Sequence, residues 1–321
     1  MNANAVVPLR VVVVGLGTIG RAVARVVLND PSLTLAGGTD ISSAALDHAR
    51  EEIGGDTTWA DLAEIGGADV AIVTAGPRFD RIAPTLRQLM HARTSVVSDC
   101  AQMTWPWLRH PHLADVIAGE ARKAGVALVG TGADPIAAML TGVGKELFAS
   151  DGASKIVIRR GYDLATARPS IVRQVGVGRT PEQFRRLAAE RIVGLPGQGE
   201  WVVLIAQAMG RHPRQAEVMT SVRPLTGDGR VNGLHQRSAW SDDTVAIEID
   251  ETATAGGTTE STVEFSYADA ASKSYVEPLL PASDVEWIAK GLVDVARHIK
   301  AAPPGLLTPL DVMAFAARSE D

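Results

Sequence analysis

Near the start of the chain four consecutive valines run into a glycine-rich turn: Val11-Val12-Val13-Val14-Gly15-Leu16-Gly17-Thr18-Ile19-Gly20. An unbroken β-branched run reads as a strand buried on both faces, which belongs in a parallel sheet covered by helices. Each glycine relaxes a different steric limit. Gly15 allows the tight turn, Gly17 lets the main chain approach an anion, and Gly20 lets the next helix pack close to the strand. That helix then points its unpaired N–H groups at the anion. Such a motif means little alone, but here it has both a strand before it and a helix after it.

The alternation continues. LTLAGG (33–38), ADVAIVT (68–74), TSVVS (94–98) and VALVG (126–130) read as further strands after LRVVVV (9–14). Between them Ile19–Leu28, Ser43–Glu52, Pro77–Ala92 and Ala114–Ala124 carry apolar residues at helical spacing. Right-handed crossovers make this half a doubly wound dinucleotide-binding (Rossmann) domain. Gly15, Gly17, Thr18, Ile19 and Gly20 are its expected diphosphate cradle. Asp40 closes the second strand about twenty residues further on, where a carboxylate receives the adenosine ribose hydroxyls and repels a 2′-phosphate. NAD is therefore expected over NADP, with Arg50 the residue that leaves NADP open. Thr74, Ala75 and Gly76 should pass the nicotinamide-side ribose. By topology Val96-Val97-Ser98-Asp99-Cys100-Ala101-Gln102, at the next strand end, should flank the nicotinamide.

The remaining 190 or so residues follow another rhythm, as a chain of 321 residues with two domains would. Pro135–Ser150 reads as a helix and Lys155–Tyr162 as a strand. Thr180-Pro181-Glu182-Gln183 is a capping box with proline at the first helical position. Trp201–Met209 is another helix, with Gly210 as its stop. From 215 to 269 antiparallel strands alternate with turns such as TGDGRVNG (226–233) and ETATAGGTTE (251–260). A last helix spans Ala282–Ile299. The expected division is a Rossmann domain over 1–134, an α+β substrate domain with an open, largely antiparallel sheet over 135–283, and a segment 284–321 returning to the first domain.

Composition excludes several classes. The net charge of −6 comes without any basic block, so nucleic acid is not an expected partner. No apolar run approaches eighteen residues, and the start lacks a signal-peptide pattern, so neither membrane nor export is expected. A single cysteine precludes an intrachain disulfide and suits a cytoplasmic protein. His110 and His112 lack companions of metal-ligand spacing, so no metal site is expected.

The chain resembles the 2,4-diaminopentanoate dehydrogenases and native amine dehydrogenases, more distant relatives of dihydrodipicolinate reductase. The resemblance lies in GLGTIGRAVA (15–24), AQMTWP (101–106), GTGADP (130–135), RQVGVGRTPEQF (173–184), RIVGLPGQGE (191–200) and PPGLLTPLDV (303–312), in this order. It implies reversible NAD(P)-dependent conversion of an amine into a ketone or aldehyde plus ammonia, in a homodimer joined through the sheet-bearing domain. In that family a glutamate just after the fourth strand holds the substrate nitrogen. The matching residue here is Gln102. A glutamine has one acceptor and two donors but no charge, and it is no base at neutral pH. Either amine chemistry persists, with a carboxylate such as Asp99 or Asp134 assisting, or the substrate is a preformed imine or neutral carbonyl. A catalytically silent NAD-binding sensor is a third possibility.

Other side chains have both a chemical and a structural reading. Cys100 reads as a nucleophile beside the cofactor or as small core filling. Met103 and Trp105 form an apolar wall next to the substrate, or core. Asp134 lines the cleft or caps the helix after it. Tyr162 and His235, from the second domain, are expected at the substrate. Asp294 and Arg297 stand where the family carries asparagine and proline.

Overall fold

A computed structural model describes residues 7–54, 57–62, 64–65, 67–132, 152–214, 217–267, 271–277 and 285–316. The chain forms two compact units. One comprises Met1–Ala137 with Val285–Asp321, the other Ala138–Asp284.

In the first unit β1 (Leu9–Val14) sets the layering. Its alternating side chains send Val11 and Val13 into one apolar layer and Val12 and Val14 into the other. This is the burial on both faces that the valine run requires. α1 (Thr18–Leu28) covers the first layer through Val23 and Val27, and α2 (Ser43–Ile53) adds Ala49. α3 (Phe79–His91) and α4 (Pro111–Ala124) cover the second through Leu86 and Ile117. With β2 (Leu33–Thr39), β3 (Val70–Val73), β4 (Ser95–Ser98), β5 (Ala127–Gly130) and β12 (Gly305–Leu307), the sheet order is β12-β5-β4-β3-β1-β2. Every pairing in it is parallel. The order reverses at β1, between β2 and β3, and such a switch point opens a crevice beyond the strand ends.

The C-terminal helix α8 (Val285–Ile299) lays Ile288, Leu292 and Val293 on the same layer as α1. Two residues after the Pro303-Pro304 pair, Leu306 and Leu307 extend the sheet beside β5. That strand of three residues is too short to carry a periodicity of its own. Arg297 pairs with Asp30, at the end of α1, and with Asp294, so both residues lie in an ion-pair cluster on this helix layer.

The second unit carries a mixed sheet. Its strands are β6 (Ala153–Asp163), β7 (Met219–Gly227), β8 (Arg230–Ser241), β9 (Ala246–Thr254), β10 (Ser261–Tyr267) and β11 (Lys273–Glu277). Their order is β11-β10-β6-β9-β8-β7, antiparallel throughout except for the parallel pair β6–β9. Asp228 and Gly229 turn β7 into β8 with φ of 50° and 73°, the two positive values a tight hairpin needs. The helices include α5 (Pro169–Val175), α6 (Pro181–Ala189) and α7 (Gln198–Ala208). On α6 the capping box forms as its sequence dictates: Thr180 Oγ1 accepts from Gln183 N–H while Gln183 accepts from Thr180 N–H. The helix expected over 135–150 lies outside the described residues, as does Asp134. No helix among the described residues is long and apolar enough to cross a membrane.

Candidate active site

The glycine turn occupies the switch point. Gly15 has φ of +91°, and a Cβ there would lie 2.7 Å from the Thr74 carbonyl oxygen. A Cβ on Gly20 would lie 1.8 Å from the Gly15 carbonyl oxygen, so α1 can approach β1 only without a side chain. At Gly17 an added Cβ meets nothing within 4 Å. Space is left over the helix tip where an anion would sit, and no side chain caps α1 there. Thr18 is exposed, whereas the Ile19 side chain is in the core, so its contribution to an anion is its N–H. The turn fits a diphosphate.

Three anchors fix it. Gly15 N–H donates to Thr39 O at 2.8 Å. Thr74 Oγ1 donates to Gly15 O at 2.7 Å. Asp40 Oδ2 accepts from Leu16 N–H at 2.6 Å, and its Oδ1 accepts from Ser42 N–H at 2.8 Å. The carboxylate at the end of β2 is thereby held beside the turn, with further lone pairs left for hydroxyl donors. Arg50, the residue that kept a 2′-phosphate open, is engaged with Asp47 and donates to Trp59 O at 2.6 Å. After β3, Ala75 is exposed and Gly76 has φ of 111°, with open space at its Cβ position.

The segment after β4 folds back onto the loop after β3. Ser98 Oγ, fully buried, donates to Val73 O at 2.8 Å and accepts from Cys100 N–H at 3.1 Å. A short 3-10 turn, Ala101–Met103, follows. Gln102 N–H donates to Pro77 O at 3.2 Å, and Gln102 Oε1 accepts from Phe79 N–H at 3.0 Å. Arg78, at the N-cap of α3, offers no side-chain cap, so an amide 23 residues away in sequence performs that role. Sequence reasoning had no signal for this contact. Burial draws the Asp80 carboxyl upward, but Arg78, hydrogen-bonded at 2.9 Å, outweighs it and holds the group below the usual carboxylate range. The acid next to the capped N–H is thus an ion-pair partner of arginine.

Contacts run unbroken from Gly15 through Thr74 and the loop of Pro77 and Phe79 to Gln102. The other expected residues divide. Cys100 is wholly buried in the apolar layer under α3, so its thiol fills core and only its main chain can face a ligand. Met103 is likewise fully buried in that layer, against Gly130. Trp105 is half-buried and packs at a tilt on Trp107, ring centres 5.7 Å apart.

Tyr162 and His235 belong to the second unit. Tyr162 O–H donates to Glu251 at 3.1 Å, inside a buried polar network. In that network Gln198 Nε2 donates to Glu251 at 3.1 Å and Ser238 O–H donates to Gln198 at 2.7 Å. Gln236 spans both main-chain groups of Leu195, which anchors the RIVGLPGQGE loop. His235 points from the opposite face of β8. Its Nδ1 accepts from Arg223 Nε–H at 3.0 Å, which leaves Nε2–H to donate to Asp250 at 2.9 Å. Both ring nitrogens are thus hydrogen-bonded within the second unit. Among the described residues no group of three or more His, Cys, Asp and Glu side chains could hold a metal ion.

No family model matches the sequence. A 2,4-diaminopentanoate dehydrogenase from Acetoanaerobium sticklandii is 24% identical over 236 residues, which cover 68% of this chain and 65% of that protein. The amine dehydrogenase of Mycobacterium smegmatis is similar in structure, with a TM-score of 0.79, 18% identity, and coverage of 94% of this chain and 95% of that one. GenD2 from gentamicin A biosynthesis, solved in complex with NAD, gives a TM-score of 0.61 at 16% identity over 100% of this chain and 94% of its own. At these identities what is established is a shared fold, a parallel nucleotide-binding-type sheet followed by a mixed α+β domain, over nearly the whole chain.

Proposed function

We propose that this chain is an NAD(P)-dependent oxidoreductase that acts on a small molecule at a carbon double-bonded to nitrogen or oxygen, the chemistry of amine dehydrogenation and its reverse. The observation that carries the reading is the division of labour among three glycines: two positions closed to any side chain, and Gly17 open over the tip of α1. Gly17, Thr18, Ile19 and Gly20 would hold the diphosphate, Asp40 the adenosine ribose, and Thr74 to Gly76 the nicotinamide ribose. The bound reduced nucleotide would supply a hydride to the substrate carbon and leave oxidised, while the π pair of the double bond passes to nitrogen or oxygen and takes a proton from water. Asp40 and the engagement of Arg50 favour NAD over NADP.

The protein's own part is to bind, orient and exclude water. Gln102, tied to the loop after β3, would orient the reacting heteroatom. Its amide neither accepts nor releases a proton at neutral pH, so water carries the proton. The fold likeness to an amine dehydrogenase supports carbon–nitrogen chemistry as the class. Two copies are proposed to meet through the second sheet's open face, where Arg237–Glu248 and Arg159–Glu264 pairs lie. A self-complementary arrangement of both charge signs suits a twofold contact, and sedimentation velocity tests it. The reading as a whole is tested by incubating purified protein with NADH or NADPH and ketones or aldehydes, with and without ammonia, and following nucleotide oxidation at 340 nm (a wavelength of about 340 nm serves both nucleotides). Oxidation dependent on a carbonyl or imine substrate is the expected result.

A further inference from the structure

The Gln102 amide has one chemically sensible orientation. Phe79 N–H must face an acceptor, so the atom 3.0 Å away is the carbonyl oxygen. Turned over, the amide would set its NH2 against another N–H. The oxygen is therefore committed to the first turn of α3. Among the described residues Gln102 Nε2 has no hydrogen-bond partner, and the side chain is half-buried. What the residue offers to a neighbour is a pair of N–H donors without a charge, its oxygen being turned to the main chain of α3. The carboxylate one residue beyond the capped N–H, Asp80, is matched by Arg78 and supplies no counter-charge.

We infer that this locked donor selects the substrate. Gln102 Nε2 donates to a neutral acceptor atom, the oxygen of a carbonyl or the unprotonated nitrogen of a preformed C=N bond, and an ammonium group is rejected. An ammonium carries donors only, so against Nε2 it finds no partner and no opposite charge. A carbonyl oxygen or neutral imine nitrogen gains a hydrogen bond that helps polarise its double bond. This inference rests on the oxidoreductase reading above and narrows it to substrates whose double bond is already formed, without a site for free ammonia.

The test uses the full-length protein loaded with NADH and three probes on the same six-membered ring: cyclohexanone, cyclohexanone oxime and cyclohexylamine, which is an ammonium at neutral pH. Affinities are read by calorimetry on the wild type and on Gln102→Glu, whose second oxygen still caps Phe79 N–H. The wild type should bind the ketone or the oxime at least about tenfold more tightly than the amine, and the ratio of ketone to oxime tells which acceptor the site prefers. Gln102→Glu should reverse the order by a similar factor while keeping the melting temperature, which a merely structural cap would not do. A wild type that prefers the amine, or that does not distinguish the three probes, overturns the inference whether or not the variant folds. So does a folded variant with the order unchanged. A wild type that binds neither NADH nor NADPH would instead remove the oxidoreductase reading beneath it.

Discussion

Thr74 Oγ1 donates a hydrogen bond of 2.7 Å to the carbonyl oxygen of Gly15, joining the end of β3 to the turn that follows β1. These two strands flank the point where the sheet order reverses. The bond stiffens the floor of the crevice from its two sides, so a nucleotide would meet a preformed turn.

The glycines separate folding from binding. Gly20→Ala places a methyl against the Gly15 carbonyl and should cost about 3 kcal/mol in stability, read by urea unfolding. Gly17→Val fills open space instead. It should leave the urea midpoint nearly unchanged and lower nucleotide affinity at least about tenfold. Equal stability losses in the two variants would refute this division.

Asp40 has two duties. Asp40→Ala leaves Leu16 N–H without its acceptor and should cost about 1–2 kcal/mol in stability. It also removes the charge that repels a 2′-phosphate. The wild-type preference for NADH over NADPH should shrink by about tenfold, measured as a ratio of dissociation constants. A preference for NADPH in the wild type would count against the role given to Asp40.

The box on α6 is a local stabiliser. Thr180→Ala removes the acceptor for Gln183 N–H and should cost about 1 kcal/mol by urea unfolding. Nucleotide affinity should be unaffected, because Thr180 lies in the other unit.

Acid should weaken the α1–α8 layer. The Ser32 hydroxyl, then Arg297 and the Ser32 N–H, hold the Asp30 carboxyl down at about 2, against an ordinary 3.8. With the folded value depressed, the unfolded chain binds more protons in between. The stabilisation is therefore complete above the ordinary value and is lost as pH falls from there through about 2. The stability gap between the wild type and Asp30→Asn should be constant near neutrality and close over that acidic range. A gap that widens on acidification would contradict the sign.

Much of the fold was legible where one residue type settles the question. Valines 11 to 14 require two covered faces, and β1 begins and ends where the sequence places it. The glycine turn and the Thr180 box are local patterns whose partners lie within a few residues. What escaped depends on distant partners. Gln102 capping Phe79 joins segments that have no common periodicity, and the parallel pair β6–β9 interrupts an otherwise antiparallel order. The two partners of His235, Arg223 and Asp250, stand on neighbouring strands and not beside it in sequence, so no local pattern announces them. Met103 and Cys100 sit next to Gln102, yet both side chains go to the core, because the turn that aims the amide toward the loop after β3 turns them inward.

The central claim is that the tip of α1 binds the diphosphate of a nicotinamide nucleotide. Isothermal titration of the full-length protein with NADH, beside Gly17→Val, tests it most directly. Saturable one-site binding to the wild type, weakened at least about tenfold in the variant, is the expected result. Wild-type protein that takes up neither NADH nor NADPH, or a Gly17→Val variant that binds as tightly as the wild type, would contradict it.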